Sequence, residues 1–309
     1  MTASTPSIRD AIRARMWLPL ILVIALLASV DAASTKSPLQ SSLDKLVAGQ
    51  ATAAIVVNAR TGTVLATHNV PVLTRRVAAP GSVIKPFVLQ LLLDSGAIRP
   101  QDSIVCRRHL TIAGRSLHCS HPPELASFQA ADALAYSCNS YFVTAAGRLK
   151  PGELERRFKE LGFTRPSGLL PNEGQGHVDA AKDVAARQLL SIGVSGIEIT
   201  PAELAAAYLR LARIDPTSAS PSEKLVLDGL KRATDYGLAQ NAKLEGISVA
   251  GKTGTASDPA DPHTHAWFAG FAPADKPEIV VVVFVERGRG SVEAANLAHK
   301  IFAAYEEQK

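Results

Sequence analysis

β-rich runs at both ends of the chain enclose a middle of helical period, and this order constrains the 309 residues more than any other feature. Near the start, Ala53-Ala54-Ile55-Val56-Val57 and Thr63-Val64-Leu65-Ala66-Thr67 flank the Gly-containing stretch Asn58 to Gly62, a hairpin pattern. From Ser82 the period changes: Val83, Ile84, Phe87, Val88, Leu91 and Leu92 recur at helical spacing as far as Gly96, which suits a helix end. Helical patterns continue over Phe128 to Tyr136, Asn139 to Arg148, Gly152 to Leu161 and Pro201 to Leu211. Strand patterns return at Ser248 to Thr253, His265 to Phe271 and Glu278 to Glu286, before an amphipathic helix from Ser291 to Tyr305. The expected class is α+β: one antiparallel sheet built from both chain ends, flanked by helices, with a helical subdomain inserted.

Ahead of this body, Arg9, Arg13 and Arg15 precede the almost wholly apolar run Met16 to Val30, and Val30-Asp31-Ala32 places small residues at both positions of a cleavage site. Residues 1–33 therefore read as an export segment, either a cleavable signal peptide or an uncleaved anchor. A spanning helix needs about 20 apolar residues, so residues 16–33 could hold the protein to the inner membrane only if counted whole. Either reading puts the rest of the chain outside the cytoplasm, in the periplasm or its equivalent. Residues 34–50 are polar and small and read as a linker that begins to turn helical near Leu43 to Leu46, and residues 51–309 form the folded domain. Hydrophobic residues make up 47 % of the chain and the formal net charge is +5, without a run of like charges or an aromatic-interleaved basic stripe. That excludes disorder, and nucleic acid is not an expected partner.

Three short motifs carry chemistry. Pro80-Gly81-Ser82-Val83-Ile84-Lys85 sets a serine at a helix start with a lysine three residues on, on the same face. A helix N-terminus favours negative charge growing on the serine oxygen, and a lysine in an apolar, cation-rich site loses its proton near neutrality. Ser-x-x-Lys alone recurs by chance, and Ser42-Leu43-Asp44-Lys45 also matches, but it lacks the Pro-Gly lead-in and the buried helix. Ser137-Cys138-Asn139 follows at a break between helical stretches, and Lys252-Thr253-Gly254-Thr255 ends a predicted strand.

Ser-x-x-Lys, Ser-x-Asn and Lys-Thr-Gly in this order resemble the penicillin-binding transpeptidase family. The resemblance runs from about Ala53 to Tyr305 and includes Gly193 to Tyr208, with Thr-Pro at a helix start, and His265 to Pro273. It implies a β-lactamase/transpeptidase-like fold and a serine D,D-transpeptidase acting on peptidoglycan stem peptides, with β-lactams as covalent inhibitors. Ser82 would attack the carbonyl between two terminal D-alanines, with Lys85 as proton acceptor and the N–H groups of Ser82 and Thr255 as oxyanion hole. Ser137 would relay a proton to the leaving amine, and Asn139 would bond the substrate amide. Lys252 would keep Lys85 neutral and draw in the terminal carboxylate, which the Thr253 and Thr255 hydroxyls would bind. Gly254 would let an extended substrate lie against its strand. No metal or organic cofactor is implied. D,D-carboxypeptidase, class D-like β-lactamase, β-lactam sensor and a non-catalytic wall-binding scaffold are the alternatives; no Glu-x-x-x-Asn signature of a class A β-lactamase appears in the helical region. Protein partners are unknown. Val83-Ile84 stands where the family often has Thr-Phe, and residues 34–52 leave no expectation of a pedestal domain.

Cys106, His109, His118, Cys119 and His121 gather between the first two motifs, with Thr111 to Ser116 as a turn. In an oxidising compartment a Cys106–Cys119 bridge is the first expectation, beside zinc held by two cysteines and two histidines, or free thiols. Cys138 reads as a small buried residue. His263 and His265 fit a solvated loop and strand start, and Glu173 a structural role in a Gly/Pro-rich loop.

Overall fold

The computed structural model describes residues 1–2, 36–257 and 263–309; the export segment expected over 1–33 lies outside the described residues apart from Met1 and Thr2. Five strands form one antiparallel sheet: β1 (Thr52–Asn58), β2 (Val64–His68), β3 (Ala250–Ser257), β4 (Thr264–Ala272) and β5 (Ile279–Val285). Their order is β2-β1-β5-β4-β3, so strands from the two chain ends meet at the β1–β5 pair, where Thr52 faces Val285 and Asn58 faces Ile279. This is the expected α+β architecture. β5 is the unbroken apolar run Ile279-Val280-Val281-Val282-Val283-Phe284-Val285 because both faces of the sheet are covered. Val280, Val282 and Phe284 enter one core with Ile55, Val57 and Trp267, while Val281 and Val283 enter a second core with Val56 and Phe268.

Helices supply both covers. α1 (Pro38–Leu46) and the C-terminal helix α7 (Ala295–Glu306) close the second core through Leu39, Leu43, Leu297, Ile301 and Phe302. The linker expected over 34–50 is thus corrected for Pro38–Leu46: apolar residues at i and i+4, with Ser37 capping the Gln40 N–H, fold it onto the sheet. Ser42 sits here, its hydroxyl accepting from Gln308 Nε2, well apart from the other motifs in the fold. On the opposite face lie α2 (Lys85–Asp94), α3 (Ala130–Ala135), α4 (Asn139–Ala146), α5 (Pro201–Ala212) and α6 (Pro221–Asp235). α5 starts at the foreseen Thr-Pro, with Thr200 and Glu203 forming a capping box. The helix α6 was not foreseen, although Ser220 and Glu223 form the same box and Ser-x-x-Glu is a readable start signal. Among the described residues no helix is long and apolar enough to cross a membrane.

Candidate active site

The first motif folds as a tight 3-10 turn, Gly81–Ile84, that runs into α2. Three residues per turn stack positions i and i+3, so Ser82 and Lys85 lie one above the other, and the Lys85 N–H donates to the Ser82 carbonyl. Pro86 is tolerated there because the first turn of a helix needs no N–H from it.

Backbone packing fixes where this turn sits. Gly81 has φ +56°, and a Cβ on it would stand 2.7 Å from the Thr255 carbonyl oxygen. A Cβ on Gly193 would meet the Gly81 carbonyl oxygen at 2.3 Å, and one on Gly254 would meet that of Pro80 at 2.6 Å. Gly254 therefore lets the Ser82 turn close on β3, a second need for a missing side chain beside the expected room for substrate. Tyr208 of α5 donates to the Val83 carbonyl at 2.8 Å, and Trp267 Nε1 donates to that of Ala79 at 3.0 Å. His265, at the expected strand start, is buried with Nε2 sharing the Ala79 oxygen at 2.7 Å, so it belongs to the scaffold of the turn. Gly193, Tyr208, His265 and Trp267 were not read as site residues from the sequence, since each acts on a segment far away in the chain.

Ser137 lies between α3 and α4 with φ +54°, a conformation that costs a non-glycine residue on the order of 1–3 kcal/mol. The turn brings both flanking side chains of Ser137-Cys138-Asn139 to Lys85. Lys85 Nζ donates to the Ser137 carbonyl at 2.8 Å, to Ser137 Oγ at 3.2 Å and to Asn139 Oδ1 at 2.7 Å, and lies 5.0 Å from the centre of the Phe142 ring. Asn139 Nδ2 donates to the His118 carbonyl at 2.9 Å, so this amide bridges the lysine to the neighbouring hairpin. That is a tie the expected bond to substrate did not include.

Lys85 and Lys252 are both fully buried. Burial lowers Lys85 to about 8, against the opposing pull of nearby Cys138 and Cys119. Lys252, whose Nζ donates to the Thr253 carbonyl at 3.0 Å, is held well below the usual lysine range by burial and, second, by the Lys85 cation. Two ammonium groups so placed do not both keep their protons cheaply, and an anion arriving at the cleft favours the charged form of Lys252.

Ser82, Ser137, Asn139, Thr253, Gly254 and Thr255 line one cleft of about 220 Å³, together with His118, Ser120, Leu238 and Ser291. Every residue expected in the site is thus on its wall or, for the two lysines, buried beside it. β3 is an edge strand, which leaves one side of Lys252-Thr253-Gly254-Thr255 free to pair with an extended peptide. Thr255 Oγ1 accepts from the Gly290 N–H at 2.9 Å, and Thr253 Oγ1 donates to the Leu238 carbonyl at 3.4 Å.

For the cysteines the first expectation is not met. Cys106, Cys119 and Cys138 are free thiols, so the Cys106–Cys119 bridge is not formed. The reason is that Cys106 turns to His121 and Cys119 to Cys138, a third sulfur that the pairing left out. His109 and His118 face each other across an exposed hairpin (His109–Ile112 with Arg115–His118), away from the thiols. Glu173 clamps its own loop, accepting from Ser167 Oγ and the Gly168 and Leu170 N–H groups, as expected of a structural residue.

A family model for the penicillin-binding protein transpeptidase domain matches residues 52–303. The chain is 28 % identical over 265 residues to the peptidoglycan D,D-transpeptidase PbpA of Mycolicibacterium smegmatis, covering 72 % of this chain and 53 % of the relative. It is 27 % identical over 251 residues to the stage V sporulation protein D of Bacillus subtilis, covering 69 % and 39 %. The chain thus spans about half or less of the length of these curated relatives. Among solved structures it matches the D,D-transpeptidase domain of a peptidoglycan glycosyltransferase from Eggerthella lenta, with a TM-score of 0.77, 20 % identity and coverage of 88 % and 81 %. It also matches Pseudomonas aeruginosa PBP2, with a TM-score of 0.76, 22 % identity and coverage of 86 % and 76 %. At these identities the structural likeness is one of fold.

Proposed function

The chain belongs to the penicillin-binding protein transpeptidase family, and from that premise we propose that it is a serine D,D-transpeptidase that acts on peptidoglycan stem peptides through an acyl-enzyme on Ser82. The observation that carries this reading is the buried Lys85, lowered to about 8 and held by Ser137 and Asn139 one turn from Ser82.

A neutral Lys85 amine has two N–H donors and one lone pair. The Ser137 carbonyl and Asn139 Oδ1, both able only to accept, occupy the two donors. The lone pair is then left for a hydroxyl. Ser82 Oγ bonds to the carbonyl carbon of the penultimate D-alanine while its proton passes to Lys85, and the growing oxyanion is met by the N–H groups of Ser82 and Thr255. The close approach of Gly81 to Thr255 supports that pairing of donors. As the C–N bond breaks, the proton moves through Ser137 Oγ, 3.2 Å from Lys85 Nζ, to the leaving D-alanine amine. The amine of a second stem peptide then attacks the ester carbonyl, its proton passing through Lys85 to Ser82 Oγ as the ester C–O bond breaks, which restores the serine hydroxyl and the neutral lysine. The terminal carboxylate of the first peptide supplies the anion that Lys252 lacks, with Thr253 and Thr255 at the same edge. The site works outside the cytoplasm, carried there by residues 1–33, and residues 16–33 hold it to the inner membrane if they are retained. A β-lactam acylates the same Ser82 and blocks the cleft.

The test is the intact mass of residues 34–309 mixed with a penicillin and followed over minutes to hours. We expect a lasting adduct of one penicillin, absent from Ser82→Ala and unchanged in Ser42→Ala. An adduct on Ser82→Ala would sink the assignment of the nucleophile. An adduct that clears as penicillin is hydrolysed marks a β-lactamase, and a folded wild type without adduct marks a scaffold. If the adduct lasts, release of D-alanine without an amine acceptor marks a carboxypeptidase.

A further inference from the structure

Cys138, between the two residues that hold Lys85, sends its own side chain elsewhere. Its thiol is fully buried beside those of Cys106 and Cys119 and the ring of His121, all of them buried. The four donor atoms lie within 4.8 Å of one another. Cys106 Sγ is 3.2 Å from His121 Nε2, and Cys119 Sγ is 4.0 Å from Cys138 Sγ. A tetrahedral zinc with Zn–S of about 2.3 Å and Zn–N of about 2.0–2.1 Å requires S···S edges of about 3.8 Å and S···N edges of about 3.5 Å. Two of the six edges already stand near those values, and none exceeds 4.8 Å. We infer that Cys106, Cys119, His121 and Cys138 bind one zinc ion as a closed, structural Cys3His site.

The chemistry of the set selects the metal. Three thiolates and an imidazole at tetrahedral spacing suit zinc, and four protein ligands leave no open position for a reacting water. The surroundings hold the imidazole in the form a ligand needs. His121 Nδ1 lies 3.0 Å from the Pro122 carbonyl oxygen and 3.3 Å from Arg108 Nη1, while Nε2 faces the sulfurs; a ring bound to zinc through Nε2 carries its proton on Nδ1 and gives it to the Pro122 oxygen. Arg108 braces the same loop, donating to the carbonyls of His121 at 2.8 Å and Pro122 at 3.1 Å. Its positive charge lies beside a cluster that, with three thiolates and a divalent ion, carries one net negative charge. Three thiols crowded together in an exported protein are also open to oxidation, and metal binding removes all three from that chemistry at once, which a single disulfide cannot do.

The site joins three pieces of chain. Cys106 follows the short strand Ile104–Val105, Cys119 and His121 follow the hairpin strand Arg115–His118, and Cys138 caps α4. Asn139 is tied to this hairpin through the His118 carbonyl as well as to Lys85. The ion therefore fixes the Ser137-Cys138-Asn139 turn against the hairpin from behind, and positions the two groups that hold the lysine. This effect on acylation rests on the proposed transpeptidase reading, whereas the metal site itself does not.

The test uses the full chain with Zn(II) and Co(II) as probes. We expect about one zinc per chain after dialysis, and on cobalt exchange the thiolate charge-transfer bands and intense visible bands of a tetrahedral site. Removal of zinc by a chelator should lower the melting temperature, and zinc re-addition should restore it. It should also slow penicillin acylation roughly tenfold, the size of effect seen when groups that orient a metal site are lost. Cys106→Ser lies outside the catalytic motifs and should lose stoichiometric zinc, whereas Ser82→Ala, with every ligand intact, should keep it while losing the adduct. A folded wild type that holds no zinc and shows no cobalt bands overturns the inference, as does a disulfide between any two of the three cysteines. Should Cys106→Ser fail to fold, the wild-type metal content and cobalt spectrum decide alone.

Discussion

An ammonium group with no exposed surface gives up its proton more readily than one in water, and Lys85 is such a group, lowered to about 8 by burial. Below that pH the lysine is charged and cannot take the Ser82 proton; above it the amine is free. Acylation by penicillin should therefore rise about tenfold per pH unit on the acid side and level off near the lysine's value. Burial sets this midpoint, and Cys138 and Cys119 pull against it. A rate constant that stays flat between roughly pH 6 and 9 would remove Lys85 from the role of base. That Ser82 and Lys85 share a face was legible from their spacing. The burial of Lys85 against Phe142 was not, because Phe142 comes from another helix and no local pattern in the chain links the two.

At the scale of elements, the reactive serine is placed by contact between backbones. The turn Gly81–Ile84 is pressed between Gly193 on one side and β3 on the other, and Tyr208 holds its Val83 carbonyl. Gly193→Ala would put a Cβ 2.3 Å from the Gly81 carbonyl oxygen at a residue with φ +71°. Displacing the turn by about 1 Å is expected to slow acylation on the order of 100-fold, while the strained residue destabilises the protein by about 1–3 kcal/mol. Tyr208→Phe removes a single hydrogen bond and should cost about 1 kcal/mol with a smaller loss of rate. Stopped-flow acylation and thermal melts of the two variants check the order. The Thr-Pro start of α5 and the Lys-Thr-Gly strand could be read from residues a few positions apart. The function of Gly193 could not, since what it must avoid is the backbone of a segment that precedes it by a hundred residues and more.

In the whole molecule, one sheet divides two cores, and the second is closed by helices from opposite ends of the chain. Leu43 in α1 is 1 % exposed within that core. Leu43→Ala should cost about 2–5 kcal/mol, with the lower stability shared by the whole domain in one denaturant transition; a residue in a solvated linker would change it by no more than about 0.5 kcal/mol. The polar composition of 34–50 hid this because a few apolar residues at helical spacing, Leu39, Leu43 and Val47 with Leu46 beside them, carry the contact in an otherwise polar stretch. The glycine-lined turn and the pairing of Lys85 with Lys252 likewise exist only once the strand Ala250–Ser257 has met the segment that carries Ser82.

By itself the sequence determined the class of fold, the order of the five sheet strands and of most of the helices, and the three motifs, because periodicity and motif spacing are local and survive without knowledge of partners. Tertiary structure alone decided what those residues touch. It set Gly254 against Pro80, exchanged the expected Cys106–Cys119 bridge for a cluster with His121 and Cys138, and lowered Lys85 by burying it. Each of these depends on distances between segments far apart in the chain and on the water that packing excludes, and neither quantity is written in the spacing of residues along it.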